Sequence, residues 1–239
     1  SQQVNRAWLP RVLGPGEPAG EVTRSAADYL GLTPGISVGP GTGDNAGAAV
    51  GLGVAPGVPV VSLGTSGTAF MCSLTRTVDP SGDVAGFADA TGRFLPLACT
   101  LNCTLAVDRI AGWLGLDRED AAERTEVVVL PYFDGERTPN LPNAAASITG
   151  LRHTTRPGEI LLAAYQGAAL SLLDALDRID THSSGLDPVA PVILIGGGAQ
   201  GATWRRVVRE LSGRPIQIPE ATELVALGGA AQAAAMLSG

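Results

Sequence analysis

The sequence predicts an α/β protein with a mixed sheet flanked by helices, on three observations. Short apolar runs of strand length alternate with longer segments whose apolar residues recur at helical spacing. Several of the runs end in glycine, where a strand gives way to a turn. With 45% hydrophobic residues in 239, the chain can also bury a sizeable core within one domain.

Residues 36–53 are rich in glycine and alanine and contain one acid, Asp44, ahead of an amphipathic stretch over 45–52. Residues 58–74 read as a hairpin: a strand to Leu63, a turn from Gly64 to Gly67, and a second strand. A further strand pair is expected over 87–90 and 94–99, turning at Thr91 and Gly92. Leu101, Leu105, Ile110, Trp113 and Leu114 then mark a helix over 101–114. Residues 127–130 have the apolar character of a buried strand, and 157–180 that of a long helix with proline near its start. A second buried strand spans 191–195, a helix begins near Ala202, and the chain closes with a strand over 216–219 and a helix over 225–237. No repeat or low-complexity tract interrupts this order, and the irregular connector over 134–146 is rich in proline and asparagine. One domain is the simplest parse.

Composition excludes several function classes. The formal charge is −7 and all 16 basic residues are arginine, so no lysine-rich stripe is present to follow a nucleic-acid backbone or an anionic membrane. No nucleic acid and no membrane partner are expected, because no segment resembles a span of about 20 apolar residues. The first residues lack the apolar core of a secretion signal, which points to the cytoplasm. Cys72, Cys99 and Cys103 are odd in number, and Cys99-x3-Cys103 has no second ligand pair. They read as reduced core thiols, and no metal site is expected on these residues.

The chemistry concentrates where strands end in glycine. Gly64-Thr65-Ser66-Gly67 follows an apolar strand and exposes consecutive N–H groups with two hydroxyls, which suits an anion. An ordinary hairpin turn would have the same composition. Gly196-Gly197-Gly198-Ala199-Gln200 also follows a buried strand, at the end where open α/β sheets bind nucleotides. It lacks the dinucleotide spacing, and the absence of lysine rules out a Walker-type loop. A tight packing corner is the alternative there. Asp44 has two readings that can coexist: a helix N-cap, and a carboxylate that accepts a proton from a reacting hydroxyl.

Together these segments resemble a known family. Gly41-Thr-Gly-Asp44-Asn45-Ala-Gly-Ala-Ala-Val-Gly51, Ser62-Leu-Gly64-Thr65-Ser66-Gly67, Leu130-Pro-Tyr-Phe-Asp-Gly-Glu-Arg-Thr-Pro139 and Gly196-Gly-Gly-Ala199 are similar to the C-terminal half of the FGGY carbohydrate kinases. That family's second signature matches Ala146-x-Ile148-x-Gly150-Leu151, seven residues, then Glu159-Ile160-x2-Ala163-Ala164-Tyr165-Gln166. The segment ending at Pro139 points, within the family, to the branch acting on D-xylulose. The resemblance covers essentially the whole chain.

It implies an actin-like, ribonuclease-H-like ATPase fold, with ATP and Mg²⁺ as cofactors and a sugar as substrate. Asp44 would be the general base that takes the proton from the sugar hydroxyl, and Asn45 would touch the sugar. Gly64, Thr65 and Ser66 would lie against the ATP phosphates, while Gly197, Gly198, Ala199 and Gln200 would line the adenosine pocket. At Ala202 some members of the family place a polar side chain toward adenine, a contact missing here.

Family members are about twice this length. The resemblance therefore implies that residues 1–239 are the C-terminal domain, with 1–35 including the interdomain connection, and that the N-terminal sugar-binding domain is absent. The aspartate that holds magnesium would belong to that other half. Alone, the chain is expected to be inactive and to expose an apolar face that favours self-association as a homodimer. Two competing readings are a non-catalytic actin-like module that binds a nucleotide or a partner, which retention of Asp44 argues against, and a kinase of the same family acting on another sugar or polyol. Among the other residues, His153 and His182 read as surface histidines, Trp113 and Trp204 as core, and Glu136 with Arg137 as a local ion pair.

Overall fold

The computed structural model describes residues 5–183 and 185–238. In chain order its elements are β1 (Gly20–Glu21), α1 (Arg24–Leu30), β2 (Ser37–Val38), α2 (Asp44–Leu52), β3 (Val60–Leu63), β4 (Gly67–Phe70), β5 (Ala85–Ala88), β6 (Phe94–Thr100) and α3 (Thr104–Leu114). There follow β7 (Val128–Leu130), β8 (Ser147–Thr149), α4 (Pro157–Ser183), β9 (Val192–Ile195), α5 (Ala202–Ser212), β10 (Ile216–Gln217) and α6 (Leu224–Ser238). The chain divides into two compact units. The larger is Val54–Ala88 with Arg93–Thr222; the smaller takes in Asp89–Gly92 and the described parts of Ser1–Gly53 and Glu223–Gly239.

The larger unit is built on a six-stranded sheet in the order β10-β9-β3-β4-β6-β5. From β3 outward through β4, β6 and β5 the neighbours are antiparallel, whereas β9 and β10 run parallel on the other side of β3. This is the mixed sheet flanked by helices that the sequence predicts. All four residues of β9, Val-Ile-Leu-Ile, are buried, as expected of an interior parallel strand.

Helix α4 is the core of this unit. Leu161, Leu162, Tyr165, Ala168, Leu172, Ala175 and Ile179 recur every three or four residues and are almost wholly buried. A Cβ at Gly167 would lie 2.2 Å from the Val129 carbonyl oxygen, so that glycine lets α4 close onto β7. By length and hydropathy α4 is the one helix among the described residues that could cross a membrane, contrary to the sequence expectation of none. Its apolar face is instead packed inside the unit. Trp204 on α5 is buried as expected and meets Tyr165 edge-on at 4.9 Å, a contact contributing about 1 kcal/mol beyond area burial. Trp113 corrects the expectation: it lies on the outer side of α3, 65% exposed, edge-on to Phe133.

In the smaller unit β1 and β2 form an antiparallel ribbon, Gly20 opposite Val38. Between them α1 is capped by the Thr23 hydroxyl, which accepts from the Ala26 N–H, and ends at Gly31 in the left-handed region. Helices α2 and α6 pack backbone to backbone: a Cβ at Gly51 would lie 2.1 Å from the Leu224 carbonyl oxygen. The glycine and alanine content of residues 44–52 thus serves a close helix crossing.

Candidate functional site

Because β3 and β9 pair in parallel, with Ser62 opposite Ile195, their carboxyl ends lie side by side. Two glycine turns far apart in sequence therefore meet at one edge of the sheet, where α/β proteins bind nucleotides. Gly196 has φ +85°, and a Cβ there would lie 2.8 Å from the Leu63 carbonyl oxygen. The approach requires glycine in both backbone conformation and space.

The first turn presents Thr65 and Ser66 to solvent. Two of its carbonyls are taken by the start of α3: the Thr104 N–H and hydroxyl donate to the Gly64 oxygen at 3.1 and 2.8 Å, and the Leu105 N–H to the Thr65 oxygen at 3.3 Å. What remains for an anion is the N–H edge of the turn and its two hydroxyls.

The second turn is mixed in character. Gly197 and Gln200 are exposed, whereas Gly198 and Ala199 are buried. A Cβ at Gly198 would stand 2.8 Å from the Leu63 Cβ and 2.9 Å from the Thr104 Cγ2, while one at Gly197 would meet nothing within 4 Å. Close packing therefore explains Gly198, and Gly197 is the open position. The Arg205 guanidinium donates to the Ala199 and Gln200 carbonyls at 2.7 and 3.1 Å, holding the turn from behind.

Sequence reasoning missed Glu119. Its carboxylate accepts from the N–H groups of Ala202 and Thr203 at 3.1 and 3.0 Å and from the Thr203 hydroxyl at 2.7 Å. The first amides of α5 are thus occupied by a side chain more than eighty positions earlier. An anion at this edge is left with the Gly64–Ser66 turn.

Asp44 and Asn45 belong to the smaller unit. The expected N-cap is corrected: Gly43 caps α2 and Asp44 is the first helical residue, with its side chain exposed. The Asp44 Oδ1 accepts from the Asn45 N–H at 2.8 Å and the Asn45 side-chain amide at 3.0 Å. An exposed carboxylate on the first turn of a helix, with its second oxygen open, has the chemistry of a proton acceptor.

Glu136 is almost fully buried and does not form the expected ion pair with Arg137. Its carboxylate accepts from the Leu101 N–H at 2.6 Å, the Asn102 side-chain amide at 3.0 Å and the Arg137 N–H at 2.8 Å, tying the connector to the start of α3. His153 is exposed as expected, but His182 is half-buried with Nε2 at 3.6 Å from the Asp79 carboxylate. Burial pushes the Cys103 thiol up to about 12, so it is no nucleophile at neutral pH. Among the described residues no group of three His, Cys, Asp or Glu could hold a metal ion.

Comparison with known proteins gives a consistent picture. Residues 60–237 match the model of the FGGY family of carbohydrate kinases, C-terminal domain. The xylulose kinase of Streptomyces coelicolor is 60% identical over 236 residues, covering 99% of this chain and 48% of that protein. That of Streptomyces rubiginosus is 58% identical with the same coverage. The crystal structure of xylulose kinase from Bifidobacterium adolescentis superposes with a TM-score of 0.82 at 39% identity, over 96% of this chain and 46% of that one. The chain spans about half the length of the curated relatives it matches.

Proposed function

The chain belongs to the FGGY family of carbohydrate kinases, and on that premise we propose that it carries the ATP-binding half of an enzyme that phosphorylates D-xylulose to D-xylulose 5-phosphate. Its fold is the actin-like ATPase fold of the sugar kinases. The observation that carries the reading is the parallel pairing of β3 with β9, which sets the Gly64–Ser66 turn beside the glycine turn at 196–200. The relatives named xylulose kinase support the choice of sugar.

In this reading the N–H groups and hydroxyls of Thr65 and Ser66 hold the ATP phosphates. Gly197 gives the adenosine a surface without a side chain, beside Gly198, Ala199 and Gln200. Asn45 touches the sugar, and Asp44 takes the proton from its hydroxyl as that oxygen attacks the γ-phosphate. Phosphoryl transfer has a loose transition state, so positioning and charge neutralisation carry most of the acceleration and the base contributes about 10²–10⁴. The described residues do not fit a protein-held Mg²⁺, having no cluster of metal-ligating side chains. The ion is assigned to the nucleotide phosphates and to residues outside this chain.

We assign residues 1–239 to the C-terminal domain, with 1–35 including the connection to a sugar-binding domain. Use of ATP as phosphoryl donor supports a cytoplasmic location, and the exposed apolar side chains support self-association as a homodimer. The deciding experiment is calorimetric titration of the chain with ADP, alongside a coupled xylulose assay of the chain joined to a sugar-binding half. Nucleotide binding with transfer only in the joined form is expected. No binding at millimolar ADP would overturn the reading, and binding without transfer in the joined form would favour a non-catalytic module.

A further inference from the structure

We infer that Glu119 is a positioning residue for the nucleotide-binding edge, an inference that rests on the reading above. The carboxylate holds the first two amides and the Thr203 hydroxyl of α5, the helix that continues directly from the glycine turn at 196–201. Gly201 leaves room for it: a Cβ there would stand 3.2 Å from the Glu119 Oε1. With Arg205 gripping the Ala199 and Gln200 carbonyls, the turn is held at both ends.

Glu119 is itself held. It sits on a short 3₁₀ turn, Arg118–Asp120, closed by a capping box between Asp117 and Asp120. Arg118 makes a two-pronged ion pair with Asp108 of α3, 2.6 Å for each contact, and the Tyr165 hydroxyl donates to the Arg118 carbonyl at 3.1 Å. The same helix α3 grips the Gly64–Ser66 turn through Thr104. Helix α3 is thus a common brace: Thr104 fixes the turn assigned to the phosphates, and the chain Asp108–Arg118–Glu119 fixes the turn assigned to adenosine. Without Glu119 the pairing of β3 with β9 would still set the turns side by side, but the start of α5 would lose its hold and the second turn its brace to α3, so a ligand needing both turns would bind less well.

The test is ADP affinity by calorimetry, with amide hydrogen exchange at 197–203, for the wild-type chain and for Glu119→Ala, Glu119→Gln and Thr23→Ala. Thr23→Ala removes a side-chain cap from α1, a single bond to the Ala26 N–H, far along the chain from this brace. Glu119→Ala should weaken ADP binding about five- to tenfold, the equivalent of one lost cap, and speed exchange at Ala202 and Thr203. Glu119→Gln, keeping one acceptor oxygen, should recover part of both. Thr23→Ala should change neither. Wild-type binding that Glu119→Ala leaves unchanged would overturn this inference alone, whereas a wild-type chain that binds no ADP would overturn the kinase reading and this inference with it.

Discussion

A Cβ placed on Gly228 of α6 would lie 1.8 Å from the carbonyl oxygen of Gly47 on α2, so these helices cross with backbone against backbone. The neighbouring Gly229 faces open space, with nothing within 4 Å of the equivalent atom. The pair gives a matched experiment within one helix. Gly228→Ala must push α6 off α2 and should destabilise by about 1–3 kcal/mol, as overpacking does. Gly229→Ala adds helix propensity without a clash and should stabilise by up to about 1 kcal/mol. Urea denaturation reads both; equal stability of the two variants would refute the close crossing.

The crossing also seats Asp44, three residues before Gly47. Asp44→Ala removes an exposed side chain whose carboxylate bonds to its neighbour Asn45. Stability should move by no more than about 0.5 kcal/mol. In a chain joined to a sugar-binding half, turnover should fall by about 10²–10⁴ with the KM for ATP nearly unchanged, because a general base acts in the transition state. Steady-state kinetics with D-xylulose would decide it, and near-wild-type turnover would leave Asp44 with no catalytic part.

Legibility in the sequence followed the range of the interactions. The hairpin at 60–70, the long helix α4 and the buried strand β9 were readable because apolar period and glycine or proline punctuation are local signals. Asp44 was readable as an acid at a helix start, but whether it or Gly43 made the cap depended on backbone angles that both residues tolerate. Trp113 fitted a helical apolar stripe, yet its position falls outside the arc that α3 buries. Glu119 and Glu136 were beyond reach, since each carboxylate serves amides on a distant segment and nothing beside it in sequence hints at the partner. The site's loops were therefore visible, and the braces that hold them were not.

Asp79 supplies a pH test. Its carboxylate accepts from the Ser81 hydroxyl at 2.6 Å and the Val84 N–H at 2.8 Å, contacts that hold it at about 2 against an ordinary 3.8 despite opposing burial. A carboxyl lowered by folding adds stability above its unfolded value, and that contribution is lost as pH falls from about 4 toward 2. The Asp79→Asn variant should be less stable at pH 7 and should lose less than wild type over that acid range. Parallel acid limbs in denaturation curves would show that Asp79 contributes nothing to the slope.

Glu136 should be far less tolerant of change than its place in a proline- and asparagine-rich connector suggests. Glu136→Ala would strip a buried acceptor from the Leu101 and Arg137 amides and the Asn102 side chain. The Asn102 side chain keeps its bond to the Gly135 carbonyl, so the cost is that of three hydrogen bonds lost from one buried carboxylate, about 1 kcal/mol or more each. We expect a loss of at least about 2 kcal/mol in chemical denaturation, with Glu136→Gln intermediate because it keeps one acceptor oxygen. A loss below about 0.5 kcal/mol would mean that water replaces the carboxylate.

The two glycines of the second turn separate packing from binding. At Gly198 a branched side chain would strike Leu63 and Thr104, both part of the frame that joins the two turns, so Gly198→Val should lower the melting temperature substantially and weaken ADP binding only as a consequence. Gly197 is exposed, its φ is not in the left-handed region, and its Cβ direction is open. Gly197→Val should therefore fold with a melting temperature near wild type. If adenosine lies against this backbone, the new methyls occupy its place, and ADP affinity should drop by tenfold or more in calorimetry. The two variants should thus fail differently, one in thermal unfolding and the other in titration. A Gly197→Val variant that is stable and binds ADP as wild type does would remove the turn from the nucleotide site and leave its glycines explained by packing alone.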